Sequence, residues 1–127
     1  MWDEEILLSR VNKLRELGAE HVCFKTGPFD LKDLVRIIKI AIKAEVDLVT
    51  FDGAGGGTGN SPVKMMNEWG IPTVYLESIL HDILRRMDMR EYKLPQVAIA
   101  GGFATEDQIF KGLSLGAPYI NFVAIGR

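Results

Sequence analysis

The chain has 127 residues, 47% of them hydrophobic and 25% charged, the size and balance of one globular domain with a core to bury. A net charge of −2 points away from nucleic acid and from an anionic membrane surface, and the apolar runs are too short and too interrupted by charge to span a bilayer. The acidic start Asp3-Glu4-Glu5 is unlike a signal peptide, and the one cysteine, Cys23, excludes an internal disulfide, so a soluble, cytoplasmic protein is expected.

Residues 3–17 place Ile6, Leu7, Val11, Leu14 and Leu17 near helical spacing, and Gly18 stands where a helix C-terminus belongs. Residues 21–26 (HVCFKT) read as a strand that Gly27-Pro28 breaks, after which Asp30 can cap a helix over 31–45. That helix carries Leu31, Leu34, Val35, Ile38 and Ile42 on one stripe. A second strand at 48–51 runs into DGAGGGTGNSP, where five of the chain's thirteen glycines lie between Gly53 and Gly59. Ser61-Pro62 has the grammar of a helix start, with that helix ending near Gly70. A further helix over 74–87 presents Leu76, Ile79, Leu80, Ile83 and Leu84. A polar connection leads to a third strand, QVAIA (96–100), followed by Gly101-Gly102. Thr105 and Gln108 form a capping box for a helix ending near Gly116, and YINFVAI (119–125) is the fourth strand.

Short strands alternating with helices mean βαβ units and a parallel sheet. The order helix end, Gly-Ala, strand recurs at LGAEHVCF and LGAPYINF. Four strands alone leave a parallel sheet with unpaired edges. The fold expected is therefore α/β: half of an eight-stranded (β/α) barrel, with residues 1–127 as a single partial domain. A doubly wound sheet is the rival.

In either architecture function gathers at the carboxyl ends of the strands. Lys25-Thr26, Asp52 with its glycine loop, Gly101-Gly102 and Gly126-Arg127 all fall there. Gly101 and Gly102 let backbone N–H groups approach an anion at a helix N-terminus, and Arg127 can add a charged contact. The alternative is that the pair makes a tight turn and nothing more. Strand alternation directs Cys23 and Lys25 to the barrel interior if Val22 and Phe24 face the helices. An ammonium there needs an anion or a reactive group, unless Lys25 ends the strand in solvent. Cys23 reads as a core thiol, His81 as structural, and His21 and His81 lack companions at metal-ligand spacing. The glycine loop is neither a Walker motif nor a dinucleotide fingerprint, and it must lie against something flat or bulky.

Together these motifs resemble the FMN-binding (β/α)8 domain of glutamate synthase, and specifically the C-terminal half of its barrel. Lys25 after its apolar strand, DLVTFDGAGGGTGNSP at 47–62, VAIAGGFATEDQIFKGLSLGA at 97–117 and FVAIGR at 122–127 carry the resemblance. The resemblance implies FMN as cofactor and 2-oxoglutarate as the 2-oxo acid substrate. The family reaction builds 2-iminoglutarate from 2-oxoglutarate and ammonia and reduces it with a flavin hydride. It implies that Lys25 contacts the flavin ring or the 2-oxo acid, and that Asp52, Gly53, Gly56, Gly57 and Thr58 line the cofactor and substrate pocket. Gly101, Gly102, Gly126 and Arg127 would hold the FMN phosphate. The family's iron–sulfur cysteines lie beyond the last strand, so a cluster in the full-length protein would not be liganded by this chain. The barrel's other half, or a second copy, is the expected partner. Another FMN barrel oxidoreductase or isomerase, and a non-catalytic half-barrel that dimerises, are the alternatives.

Overall fold

The computed structural model describes residues 3–27, 30–56, 64 and 70–126, and helices and strands alternate along them. The order is α1 (Glu4–Glu16), β1 (Cys23–Thr26), α2 (Leu31–Lys43), β2 (Leu48–Asp52), α3 (Thr73–Asp88), β3 (Gln96–Ala100), α4 (Glu106–Gly116) and β4 (Phe122–Ala124). The short helix expected from Ser61-Pro62 falls outside the described residues, apart from Lys64 and Gly70.

Local chemistry starts three of the four helices among the described residues. Asp3 accepts from the Glu5 and Ile6 N–H groups, and Asp30 accepts from Lys32 N–H at 2.8 Å. At α4 both halves of the expected capping box form, since Gln108 N–H donates to Thr105 Oγ1 and Gln108 Oε1 accepts from Thr105 N–H. Each cap satisfies amides that a helix start leaves without an internal acceptor. Helix α3 differs: Pro72 occupies its N-cap and no side chain caps it.

All strand pairs are parallel, in the spatial order β1-β2-β3-β4. Crossovers between parallel strands are right-handed, so three steps in the same direction put every connecting helix on one face. This is the winding of half a (β/α)8 barrel. A doubly wound sheet reverses its strand order and covers both faces.

The two faces differ accordingly. Val49, Phe51, Val97 and Ile99 are at most 1% exposed and form one core with Leu34 and Ile38 of α2 and Leu76, Leu80 and Leu84 of α3. The register puts Cys23, Lys25, Leu48, Thr50, Asp52, Gln96, Ala98, Ala100, Phe122 and Ala124 on the opposite face, which none of the described helices covers.

Several expectations change here. Cys23 is exposed rather than a core thiol, because it lies on the uncovered face. In α1 only Val11 is buried, while Ile6 is 65% exposed and Leu17, at its C-cap, 73%, because α1 stands at the end of the helix layer, where among the described helices it packs mainly on α2. Strand β4 covers Phe122–Ala124 rather than 119–125: the Tyr119 and Ile120 N–H groups instead close a turn on the Gly116 carbonyl. The packed stripe of α2 also shifts, with Ile37 and Ala41 buried and Leu31 exposed. Among the described residues no helix is long and apolar enough to cross a membrane. None of the described His, Cys, Asp and Glu residues gather in threes to hold a metal ion.

Candidate functional site

The parallel register sets Asp52 level with Ala100 and Ala124, so the turns that follow β2, β3 and β4 open side by side. Between them lies a cleft of about 410 Å³, lined by Lys25, Asp52, Gly55, Gly56, Ala100, Gly101, Gly102, Phe103, Ala104, Ala124, Ile125 and Gly126. Six residues singled out from the sequence, namely Lys25, Asp52, Gly56, Gly101, Gly102 and Gly126, thus meet at one place. Gly53 sits behind the cleft, while Gly57, Thr58 and Arg127 lie outside the described residues.

Lys25 does have the anion that its position calls for. Its Nζ is 2.5 Å from Asp52 Oδ2, across the join between β1 and β2. Lys25 is aligned with Thr50, and Asp52 stands two residues further along the same face, a diagonal that a lysine easily spans. The ammonium remains more than half exposed and the carboxylate is mostly shielded, 57% against 17%. Lys25 is therefore a held but accessible cation at the cleft floor.

The glycines have a reason not evident in the sequence. A Cβ on Gly56 would run into the Asp52 carboxylate and lie 3.1 Å from Gly101 Cα. Gly101 has φ +120°, where an L side chain is strained, and a Cβ there would meet Gly53 O at 2.8 Å. At these positions the bare backbone is required by the chain's own packing. Gly102, in contrast, faces open space.

The amides at the mouth of α4 are partly used already. Gln108 Oε1 accepts from Ala104 N–H at 2.8 Å and from Thr105 N–H at 3.2 Å. An anion at this end of the cleft would have to rely on the Gly102 and Phe103 N–H groups and the helix dipole. The first turn of α4 also carries Glu106 and Asp107, the latter paired with Lys111 at 2.5 Å.

A sequence model described as the conserved region in glutamate synthase matches residues 1–126. The chain belongs to the glutamate synthase family. The glutamate synthase large subunit-like protein YerD of Bacillus subtilis is 29% identical over 118 residues, which are 91% of this chain and 22% of that protein. The archaeal-type glutamate synthase (NADPH) of Thermotoga maritima is 30% identical over 87 residues, 67% of this chain and 17% of that one. The chain spans about a fifth of the length of these curated relatives. Among solved structures, an IMP dehydrogenase/GMP reductase-like protein from Corynebacterium glutamicum aligns over 97% of this chain and 44% of its own, at 15% identity and a TM-score of 0.37.

Four residues at or near the cleft escaped the reading of the sequence. Phe103 and Ala104 directly follow Gly101-Gly102, so their place was available by continuity. Thr73 and Glu77 had no such signal. Thr73 Oγ1 donates to Gly101 O at 2.7 Å, over a separation of 28 residues. Glu77 is 1% exposed between α3 and α4, its Oε1 without a hydrogen-bond partner among the described residues. It lies where a side chain on Gly112 would sit, beside the Phe103 ring. Burial pushes its carboxyl up to about 7.

At the opposite end of the strands, Asp47 accepts from Val22 N–H at 2.8 Å, and this backbone hydrogen bond is the main reason its carboxyl lies below the ordinary value. His21 stands 3.6 Å from the same side chain. His81 packs edge-on against Tyr119, in keeping with a structural role.

Proposed function

We propose that this chain is the C-terminal half of the FMN-binding barrel of a glutamate synthase-like oxidoreductase that reduces 2-iminoglutarate, formed from 2-oxoglutarate and ammonia. The observation that carries this reading is the meeting of the Lys25–Asp52 pair with the Gly101-Gly102 and Gly126 turns in one cleft.

The residues present suit FMN. The cleft has the volume of a small-molecule site, and Gly102 leaves it an open wall. In this reading the Gly102 and Phe103 N–H groups donate to the phosphate, with Gly126 giving close approach and Arg127 a guanidinium. Asp52 and the turn through Gly53 line the flavin side, and Gly56, Gly57 and Thr58 the substrate side. When bound, FMN supplies the hydride. Lys25 orients the flavin ring or the 2-oxo acid through its ammonium, and Asp52 holds that ammonium in place between turnovers. An iron–sulfur cluster in the full-length protein would draw its ligands from outside this chain, whose one cysteine is Cys23.

The uncovered sheet face, with Leu48 and Phe122 on it and β1 and β4 at its edges, favours a partner that completes the barrel. In the proposal that partner is the other half of the barrel, or a second copy of this chain.

Titration of the purified chain with FMN, followed by flavin fluorescence, tests the reading. Binding is expected for the wild type and is expected to be lost in Gly102→Asp, whose carboxylate enters the open wall. Equal binding by Gly102→Asp removes the phosphate assignment. Reoxidation of the reduced flavin by 2-oxoglutarate with ammonia, set against a hydroxy acid, separates glutamate synthesis from another flavin barrel activity. A dimer in light scattering without flavin affinity would favour the non-catalytic half-barrel.

A further inference from the structure

We infer that Thr73 is a positioning residue that orients the Gly101–Gly102 peptide, and thereby the anion-binding N–H of the cleft. For its functional consequence this inference rests on the flavin reading above. Its structural content does not.

Thr73 opens α3, a helix with no side-chain cap. Threonine near a helix start ordinarily spends its hydroxyl on that helix's own amides. Here the hydroxyl is turned outward and donates to Gly101 O at 2.7 Å, with Ala54 O also within 3.4 Å. One side chain thus joins the turn after β2 to the turn after β3. The sequence makes room for it twice, since a Cβ on Gly53 or on Gly101 would collide with Thr73 Oγ1. Two backbone hydrogen bonds brace the same junction, Gly53 N–H to Ala100 O at 2.7 Å and Ala54 N–H to Ile71 O at 2.8 Å.

Planarity of the peptide unit supplies the rest. The carbonyl of Gly101 and the N–H of Gly102 belong to one trans peptide and point in opposite directions. Holding Gly101 O on Thr73 therefore directs the Gly102 N–H to the side away from Thr73. Gly101 and Gly102 line the cleft, and Thr73 is not among its lining residues. Two consecutive glycines at φ +120° and +80° would otherwise turn this peptide at little steric cost. The Thr73 hydroxyl is the lock.

The test compares Thr73→Val, which keeps the volume and removes the donor, with Thr73→Ser, which keeps the donor. Two readouts are taken on the full chain: the NMR order parameter of the Gly102 amide without ligand, and FMN affinity by fluorescence. T73V is expected to lower the Gly102 order parameter and to weaken FMN binding about tenfold, while T73S keeps the order parameter and stays within about twofold of wild type in affinity. If T73V does not fold, T73A against T73S decides, since both lack the methyl and differ by the hydroxyl. An unchanged Gly102 order parameter in T73V, or in T73A where that pair is used, overturns the inference. So does a T73S variant as impaired as T73V, because the retained donor would then not hold the peptide. If the wild type holds no FMN yet T73V still lowers the Gly102 order parameter, the positioning role stands and the flavin reading falls. If FMN binds wild type and T73V alike, the flavin reading stands and the role of Thr73 in anion binding falls.

Discussion

Lys25 and Asp52 lie on neighbouring parallel strands and meet at 2.5 Å on the face of the sheet that none of the described helices covers. A pair whose ammonium is more than half exposed adds little to stability, because water screens it and two side chains must be held still. Its place at the cleft floor is therefore better explained by presentation of the cation than by holding the fold together.

Replacing Lys25 with Met should accordingly separate function from stability. The urea midpoint should stay near that of wild type, with a change below about 1 kcal/mol. FMN affinity, or the KM for the 2-oxo acid, should worsen by about tenfold or more, as for loss of a hydrogen bond to a charged group. A large stability loss with unchanged ligand binding would make the pair structural.

Gly56 tests the floor of the cleft from the other side. Gly56→Ala puts a methyl where the Asp52 carboxylate lies and crowds Gly101 Cα. Overpacking of this type costs about 1–3 kcal/mol. In an Asp52→Ala background the same substitution should cost less, and the difference in a double-mutant cycle of denaturation midpoints measures the conflict. Equal costs in both backgrounds would place the clash on Gly101 alone.

Glu77 makes stability depend on pH in an unusual direction for an acid. Its folded carboxyl titrates near 7 against an ordinary 4.5. Between those values the unfolded chain is ionised while the folded chain keeps its proton, so stability falls as pH rises through that window. The total effect is on the order of 1–3 kcal/mol. Denaturation curves from pH 4.5 to 8 should show this decline for wild type and a flatter profile for Glu77→Gln. Parallel profiles for the two proteins would mean that Glu77 ionises freely in the folded state.

Core and rim leucines should differ sharply. Leu80→Ala, at a position fully buried beneath the sheet, should cost about 2–5 kcal/mol. Leu17→Ala, at the exposed end of α1, should stay within about 0.5 kcal/mol. Thermal unfolding of the two variants side by side checks this, and comparable losses would mean that α1 packs against more than α2.

The sequence by itself determined whatever depends on neighbours a few residues away. Asp30 and the Thr105–Gln108 box start their helices where expected, Gly18 follows α1, and the alternation of strands with helices follows the apolar periods. The meeting of Lys25, Asp52, Gly101, Gly102 and Gly126 at the strand ends also followed, because parallel strands bring equivalent turns to one side. Tertiary structure alone decided matters of register and coverage. Whether Lys25 found its anion depended on β1 aligning with β2, and Thr73 reached Gly101 across 28 residues. Cys23 and α1 looked apolar enough for the core, yet they lie on a face and at a rim that none of the described elements covers. Nothing in the apolar spacing of residues 74–87 marks Glu77 for burial, which is decided where α4 packs Gly112 against it. Periodicity tells a side chain which way to point along its own element. Which group waits there, or whether any does, is a property of elements that meet only in the folded chain.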